Sequence, residues 1–379
     1  MRGEATPFPL WYHPLYTDGI HPEARFPRDR YVRLLNRLTT NAPHGAFNVR
    51  TPNAIQREVL HLAHDATYVE RFLNGELDAS EERRIGLRPW TPDMIERTMR
   101  LMGGAVEATE HVVRHGGFAG NMAGGTHHAH RAFGSGYCVF NDLAVCALHA
   151  ITSLGLERVA VLDLDVHQGD GTASILADEP RVLTVSVHCA TNFPFRKAVS
   201  DHDLVLEPGS GDDAYLEAAQ QALDLCLGFE PDLLLFQAGV DGLEADALGK
   251  LSVSREGMQQ RNASVFDAAA TRTMPTVVFM GGGYANPIDA TLDAFEDLFF
   301  GCSRCSPKVH HDGLSPARLR THALLHQRKI VAGMREKKHN GSAMTTPEMI
   351  AIRCSSARAK WGNTRAPVSS GAWQNARLM

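Results

Sequence analysis

No run of eighteen or more apolar residues occurs in the 379-residue chain, so no segment reads as a membrane-spanning helix and no membrane partner is expected. Met1-Arg-Gly-Glu-Ala-Thr-Pro7 lacks the apolar stretch of a secretory signal, and an intracellular protein, cytoplasmic or nuclear, is expected. Cysteine is scarce and odd in number, seven in all, with Cys138, Cys146, Cys189 and Cys226 in apolar surroundings. That pattern argues against a disulfide framework and suits buried thiols in a reducing compartment. Internal repeats are absent. No Gly-Lys-Ser/Thr follows the triplet Gly281-Gly-Gly283, which excludes a P-loop.

The hydrophobic share is 44%, enough at this length to bury a sizeable core in one large α/β domain or two ordinary ones. The net charge of −5 conceals an asymmetry: from Cys302 onward fourteen Lys/Arg stand against three Asp/Glu, leaving twenty-four against forty in residues 1–301. The body is acidic and no direct nucleic-acid binding is expected of it, whereas 302–379 reads as a basic, solvated and disordered extension. Within that extension Cys302-x-x-Cys305 and His310 have the beginnings of a zinc knuckle, but Ser315 stands where a fourth ligand is needed.

Trp11-Tyr-His-Pro-Leu-Tyr16 reads as a short strand entering a proline turn, and helices are expected over Asp29–Leu38, Pro52–Leu62 and Thr67–Leu73. A long amphipathic helix should run from Thr91 to His115 and stop at Gly116-Gly117; another, capped by Asn141, should run to Ile151. Apolar runs then alternate with helical stretches. Strands are expected at Arg158–Asp163, Arg181–His188, Asp232–Gln237 and Thr276–Met280, and helices near Gly171–Leu176, Asp212–Leu227, Arg255–Thr271 and Asp289–Phe300. This alternation predicts an α/β domain with an open, mostly parallel sheet covered by helices on both faces.

In such a sheet, ligands bind beyond the carboxyl ends of the strands, and here all four exits carry polar chemistry. The first gives Asp163, Asp165 and His167, which a period of two would turn to one side. Carboxylates and an imidazole crowded at a strand end need a cationic or hydrogen-bonding partner, of which a divalent metal is the simplest. The other exits give Ser186 and His188, then Asp241, then Gly281 to Tyr284. Asp165, His167 and Asp241 supply the three protein ligands of a catalytic zinc with one position left open, and their two oxygens and one nitrogen also suit Fe2+. Adjacent His127 and His128, after Gly124-Gly125, suit proton transfer near neutral pH, with Asp163 and Asp170 as the available orienting carboxylates. Tyr284 follows flexible backbone and offers a phenol that can donate to a developing oxyanion.

With these residues assembled, the chain resembles the histone deacetylase superfamily, closest to its class IV and bacterial deacetylase-like branch. The matching segments are Gly124-Gly-Thr-His-His128, Gly136-Tyr-Cys-Val-Phe-Asn-Asp142, Asp163-Leu-Asp-Val-His-Gln-Gly-Asp-Gly171, Val185-Ser-Val-His188, Gln237-Ala-Gly-Val-Asp-Gly242 and Gly281-Gly-Gly-Tyr284. Asn192-Phe-Pro-Phe-Arg-Lys197 and Arg83-Arg-Ile-Gly86 resemble the class IV-type branch in particular. The resemblance implies an arginase–deacetylase fold, zinc on Asp165, His167 and Asp241, proton transfer by His127 and His128 backed by Asp163 and Asp170, and Tyr284 on the oxyanion. It also implies an acyl-lysine channel walled by Gly136, Tyr137 and Phe193, and a structural potassium ion near Asp163 and Ser186. An arginine, Arg28 or Arg30, is expected near an inner acetate exit. Tyr137 departs from the phenylalanine usual in the family, which bears on channel polarity and acyl preference. The related arginase site holds two manganese ions, but Gly169 and Gly239 stand where its further carboxylates would be.

The expected activity is that of a zinc-dependent amidohydrolase, formed by residues 1–301, that removes acetyl or longer acyl groups from lysine side chains of proteins. Two alternatives stand beside it. One is a small-molecule amidohydrolase acting on acetylpolyamines or related acylated amines. The other is a catalytically silent acyl-lysine-binding module, which would require loss of a metal ligand or of Tyr284.

Overall fold

The computed structural model describes residues 7–305. His310, Ser315 and the rest of the basic extension lie outside the described residues. One sheet holds eight strands: β1 Phe8–Trp11, β2 Phe47–Arg50, β3 Phe118–Asn121, β4 Val159–Asp163, β5 Val182–Cys189, β6 His202–Leu206, β7 Leu233–Gln237 and β8 Thr276–Phe279. Their order is β2-β1-β3-β8-β7-β4-β5-β6, and every neighbouring pair is parallel. All carboxyl ends therefore open on the same edge.

The central strands read as near-continuous apolar runs because both faces are covered. Val159-Ala-Val-Leu-Asp163 and Leu233-Leu-Leu-Phe-Gln237 are buried at every position, as is Thr276-Val-Val-Phe279. Helices Met94–His115 and Asp142–Thr152 pack against each other in one group; Arg30–Asn41, Asp289–Cys305, Arg255–Thr271 and Asp212–Gly228 pack in succession as another. β4 touches a helix of each group. No helix among the described residues is long and apolar enough to cross a membrane.

Several boundaries differ from expectation, each for a local reason. Trp11 ends a strand rather than starting one, and that strand carries Pro9 in register with Asn48. Of Pro52–Leu62 only Arg57–Leu60 is helical, because Gln56 is extended and the Ile55 N–H donates to the Met99 carbonyl instead of a helical neighbour. The last helix runs to Cys305, past Phe300, with Cys302 buried in the core. β2 and β6 are the sheet edges, and none of their residues is fully buried.

Candidate active site

The order β8-β7-β4-β5 puts the four polar exits side by side. β4 ends at Asp163, so Asp165 and His167 are loop residues and strand alternation does not aim them. Successive side-chain turns do. The Asp165 N–H donates to Asp163 Oδ1 at 3.2 Å and the His167 N–H to Asp165 Oδ1 at 3.0 Å, so each carboxylate folds back on the backbone two residues ahead. Asp241 reaches in from the loop after β7, its Oδ1 accepting from the Val166 N–H at 2.9 Å.

Asp165, His167 and Asp241 are buried, and their donor atoms lie within 4.8 Å of one another. His167 Nδ1 is 3.1 Å from Asp165 Oδ1 and 3.1 Å from Asp241 Oδ2, close to the about 3.3 Å edge of a tetrahedron with bonds of about 2 Å. Two buried carboxylates against one imidazole leave a negative charge unbalanced. Burial and the neighbouring Asp165 raise the Asp241 pKa to about 7. Burial works against a charged His167, but Asp165 and Asp241 together lift its pKa to about 10. The imidazolium thus supplies positive charge that one divalent cation would supply more fully, and the donor set fits such an ion. A second ion has no added carboxylate to hold it: a Cβ on Gly239 would strike the Asp165 carboxylate, and one on Gly169 the Asp163 carboxylate.

Each of the paired histidines donates toward its own carboxylate. His127 Nδ1 is 2.7 Å from Asp163 Oδ2 and His128 Nδ1 is 2.8 Å from Asp170 Oδ1, with the rings 4.1 Å apart. Similar partners give opposite outcomes. Burial opposes a charged His127, but Asp163 and then Asp165, whose Oδ1 lies 3.8 Å from its Nε2, raise the pKa to about 9. For His128, burial and then the charge on His127 prevail over Asp170, and the pKa falls to about 3.

These groups open on one cavity of about 440 Å³, also lined by Gly136, Tyr137, Phe193 and Tyr284. Gly136 packs so closely that a Cβ would meet the His128 ring at 2.6 Å and Phe193 at 3.1 Å, and the Phe193 ring stands 4.8 Å from that of His128. Tyr137 and Tyr284 have ring centroids 5.8 Å apart, and Phe26 packs edge-on against both. The glycine triplet serves close approach: the Gly282 N–H donates to Asp165 Oδ2 at 2.8 Å, and any Cβ there would fill the space of both ligand carboxylates. Of the two candidate arginines, Arg30 lines the cavity and Arg28 bonds the Thr17 and Ile20 carbonyls. Ser186 lies in register with Asp163, and its hydroxyl is 3.0 Å from His188 Nδ1.

Sequence reasoning missed the residues that hold these groups in place. Asp142 accepts from the Gly125 and Thr126 N–H groups at 2.8 Å each, and Asn141 Nδ2 donates to the His127 and Ala129 carbonyls, so a helix start anchors the histidine loop. Asn141 was legible only as a cap, which it also is, accepting from Ala144 N–H. Asn192 Nδ2 lies 3.2 Å from His167 Nε2, and Arg261 donates to the Gly239 carbonyl at 2.6 Å under the Asp241 loop. Asn192 opens the segment Asn192-Phe-Pro-Phe-Arg-Lys197, which the sequence marks only as a family resemblance and not as a contact to His167, and no local pattern marks Arg261.

A parallel sheet whose carboxyl edge gathers a buried Asp-His-Asp donor set beside two imidazole–carboxylate pairs defines the arginase–deacetylase class of α/β fold. Residues 22–296 match the histone deacetylase domain, and the chain belongs to that family. An uncharacterized protein of Picosynechococcus sp. is 41% identical over 283 residues, 74% of this chain and 93% of that one. Histone deacetylase 2 of Arabidopsis thaliana is 33% identical over 204 residues, and the match spans 52% of each chain. Among solved structures, acetylpolyamine aminohydrolase from Burkholderia pseudomallei superposes with a TM-score of 0.65 over 79% of this chain and 99% of that one; at 22% identity this is a likeness of fold.

Proposed function

We propose that residues 1–301 form a zinc-dependent amidohydrolase of the class IV-like branch that removes acetyl or longer acyl groups from lysine side chains of intracellular proteins. The observation carrying this reading is the convergence of the Asp165–His167–Asp241 donor set, two His–Asp pairs and Tyr284 on one cavity. A divalent ion on that set would polarise the amide carbonyl and make water nucleophilic near neutral pH, as zinc does with three protein ligands; Fe2+ suits the same donors.

The chain's own residues do the rest. Of the adjacent imidazoles of His127 and His128, whose Nδ1 atoms are held by Asp163 and Asp170 at 2.7 and 2.8 Å, one takes the proton of the attacking water and one gives a proton to the leaving amine. The Tyr284 phenol donates to the oxyanion as it forms. Gly136, Tyr137 and Phe193 wall the acyl-lysine channel, and Arg30 faces its inner end. Asp163 and Ser186 flank a structural potassium site, and the basic stretch 302–379 stands outside the hydrolytic machinery.

An acetylpolyamine substrate is the second reading. Apart from the donor set and the histidines, the charged side chains lining the cavity are Arg30, Arg84, Arg97 and Lys250, all basic, and they would repel a polycation. A silent binding module would require loss of a metal ligand or of Tyr284; the clustering of Asp165, His167 and Asp241, with Tyr284 lining the same cavity, supports turnover instead. Turnover of an acetyl-lysine peptide against an acetylated polyamine by the zinc-loaded full chain decides between them. The peptide should be the better substrate; a higher kcat/KM for the polyamine would replace the protein reading.

A further inference from the structure

Arg30 and Arg97 both line the cavity, and each is only 4% exposed. Guanidinium groups so deeply buried are ordinarily paired with carboxylates. Neither is. Arg30 donates from Nη1 to the Gly283 carbonyl at 3.0 Å and from Nη2 to the Gly281 carbonyl at 3.1 Å and the Tyr31 hydroxyl at 3.2 Å, while its Nε has no partner. Arg97 donates from Nε to the Tyr16 carbonyl at 3.3 Å and lies beside the same Tyr31 hydroxyl. Arg261 is the contrast: Nε, Nη1 and Nη2 all reach oxygens of Asn262, Tyr215, Gly239 or Ala238, and it does not line this cavity. Burial pulls the Arg97 pKa below its usual value, and the Arg30 charge acts in the same direction.

Arg30 is partly compensated, its guanidinium lying 4.7 to 5.3 Å from the Phe26, Tyr31 and Tyr284 ring centroids and within the field of Asp241. Neither guanidinium is ion-paired with a carboxylate, however, and two such cations lining one cavity favour an anion beside them. Arg84 and Lys250, both exposed, also line the cavity, so its charged lining apart from the donor set and the histidines suits a substrate that enters with negative charge. Resting on the amide-hydrolysis reading above, we propose that Arg30 and Arg97 form a carboxylate seat for the far end of the acyl chain. The preferred substrates are then lysines acylated by a dicarboxylic acid of the succinyl or glutaryl class. Water adds to the amide carbonyl, the C–N bond breaks, the amine leaves with a proton, and the free dicarboxylate is released. No further reactant is needed.

The test compares glutaryl-lysine with pentanoyl-lysine peptides of one sequence, using the zinc-loaded full chain and the variants Arg97→Met and Arg97→Lys. The neutral pentanoyl chain has the same number of carbons and ends in a methyl group where glutaryl ends in a carboxylate. The wild type should favour glutaryl, and Arg97→Met should lower the glutaryl-to-pentanoyl ratio of kcat/KM by about tenfold or more, the scale of a lost charge-assisted hydrogen bond. Arg97→Lys should keep part of the preference and serves alone if the methionine variant does not fold. Independently of turnover, glutarate should raise the Tm of the wild type more than pentanoate does, and the difference should shrink in either variant. Glutarate stabilisation that depends on Arg97 in a protein with no amidase activity would keep the seat and reject the hydrolase reading. Equal kcat/KM for the two peptides, or a ratio unmoved in both variants, would overturn the seat while leaving the hydrolase in place.

Discussion

Two clusters of buried carboxylate and imidazole face the same cavity, and they differ in how their charges balance. Asp163 meets His127, and Asp170 meets both His128 and His130, at 2.7 to 3.0 Å, so each carboxylate has at least one imidazole of its own. In the donor set Asp165 and Asp241 share one imidazole, His167, and the shortage shows in an Asp241 carboxyl that holds its proton to about pH 7. The difference teaches that the His127 and His128 pairs balance their charge within the fold, whereas the Asp165–His167–Asp241 set is left with an excess of carboxylate that suits a bound cation.

The comparison breaks most severely if a member of the donor set is removed. Asp241→Ala or His167→Ala should lose both bound metal and turnover, because two ligands hold an ion far more weakly than three. Elemental analysis of the purified variants checks this, and a variant retaining one equivalent of metal would take that residue out of the set. Tyr284→Phe should separate the functions, keeping the metal while turnover falls by about 10²–10³, or roughly 3–4 kcal/mol, the usual cost of one oxyanion donor. A phenylalanine variant within twofold of the parent would reduce Tyr284 to a packing residue.

Proton counting sharpens the contrast further. Without metal His167 keeps its proton up to about pH 10 and Asp241 up to about pH 7. Both must give up protons to bind an ion, so metal affinity should fall as pH falls. About one proton should be released near pH 8 and closer to two near pH 6. Calorimetry in buffers of different ionisation enthalpy reads that number, and metal binding without proton release would contradict the shared-imidazole balance. The smallest effect should come from truncation after Cys305, where the last described helix ends with Cys302 in the core. Turnover should be unchanged, and a folded but inactive truncation would give the basic stretch a part in hydrolysis.

The central strands β4, β5, β7 and β8 were legible because full burial writes them as apolar runs, and their exits because polar residues end those runs abruptly. The flanking strands were not. β1 contains Pro9, which argues against a strand, and β3 is a four-residue Phe-Ala-Gly-Asn whose Gly120 packs against Phe8 and Phe299. β2 and β6 are sheet edges whose residues are all exposed or half-buried, so burial writes no long apolar run into them. At the site, motif residues could be picked out singly, but which carboxylate meets which histidine is a long-range fact. Asn192 reaches His167 across 25 residues, and Arg97 lies in a helix that its apolar spacing alone had revealed.

The most direct test of the account is to strip the full chain of metal and titrate zinc back while following hydrolysis of acyl-lysine peptides, acetyl and glutaryl among them. The account predicts background rates without metal, a rise that saturates at one equivalent per chain, and no rise in Asp241→Ala. Full activity in the stripped protein, or saturation only at two equivalents, would contradict it.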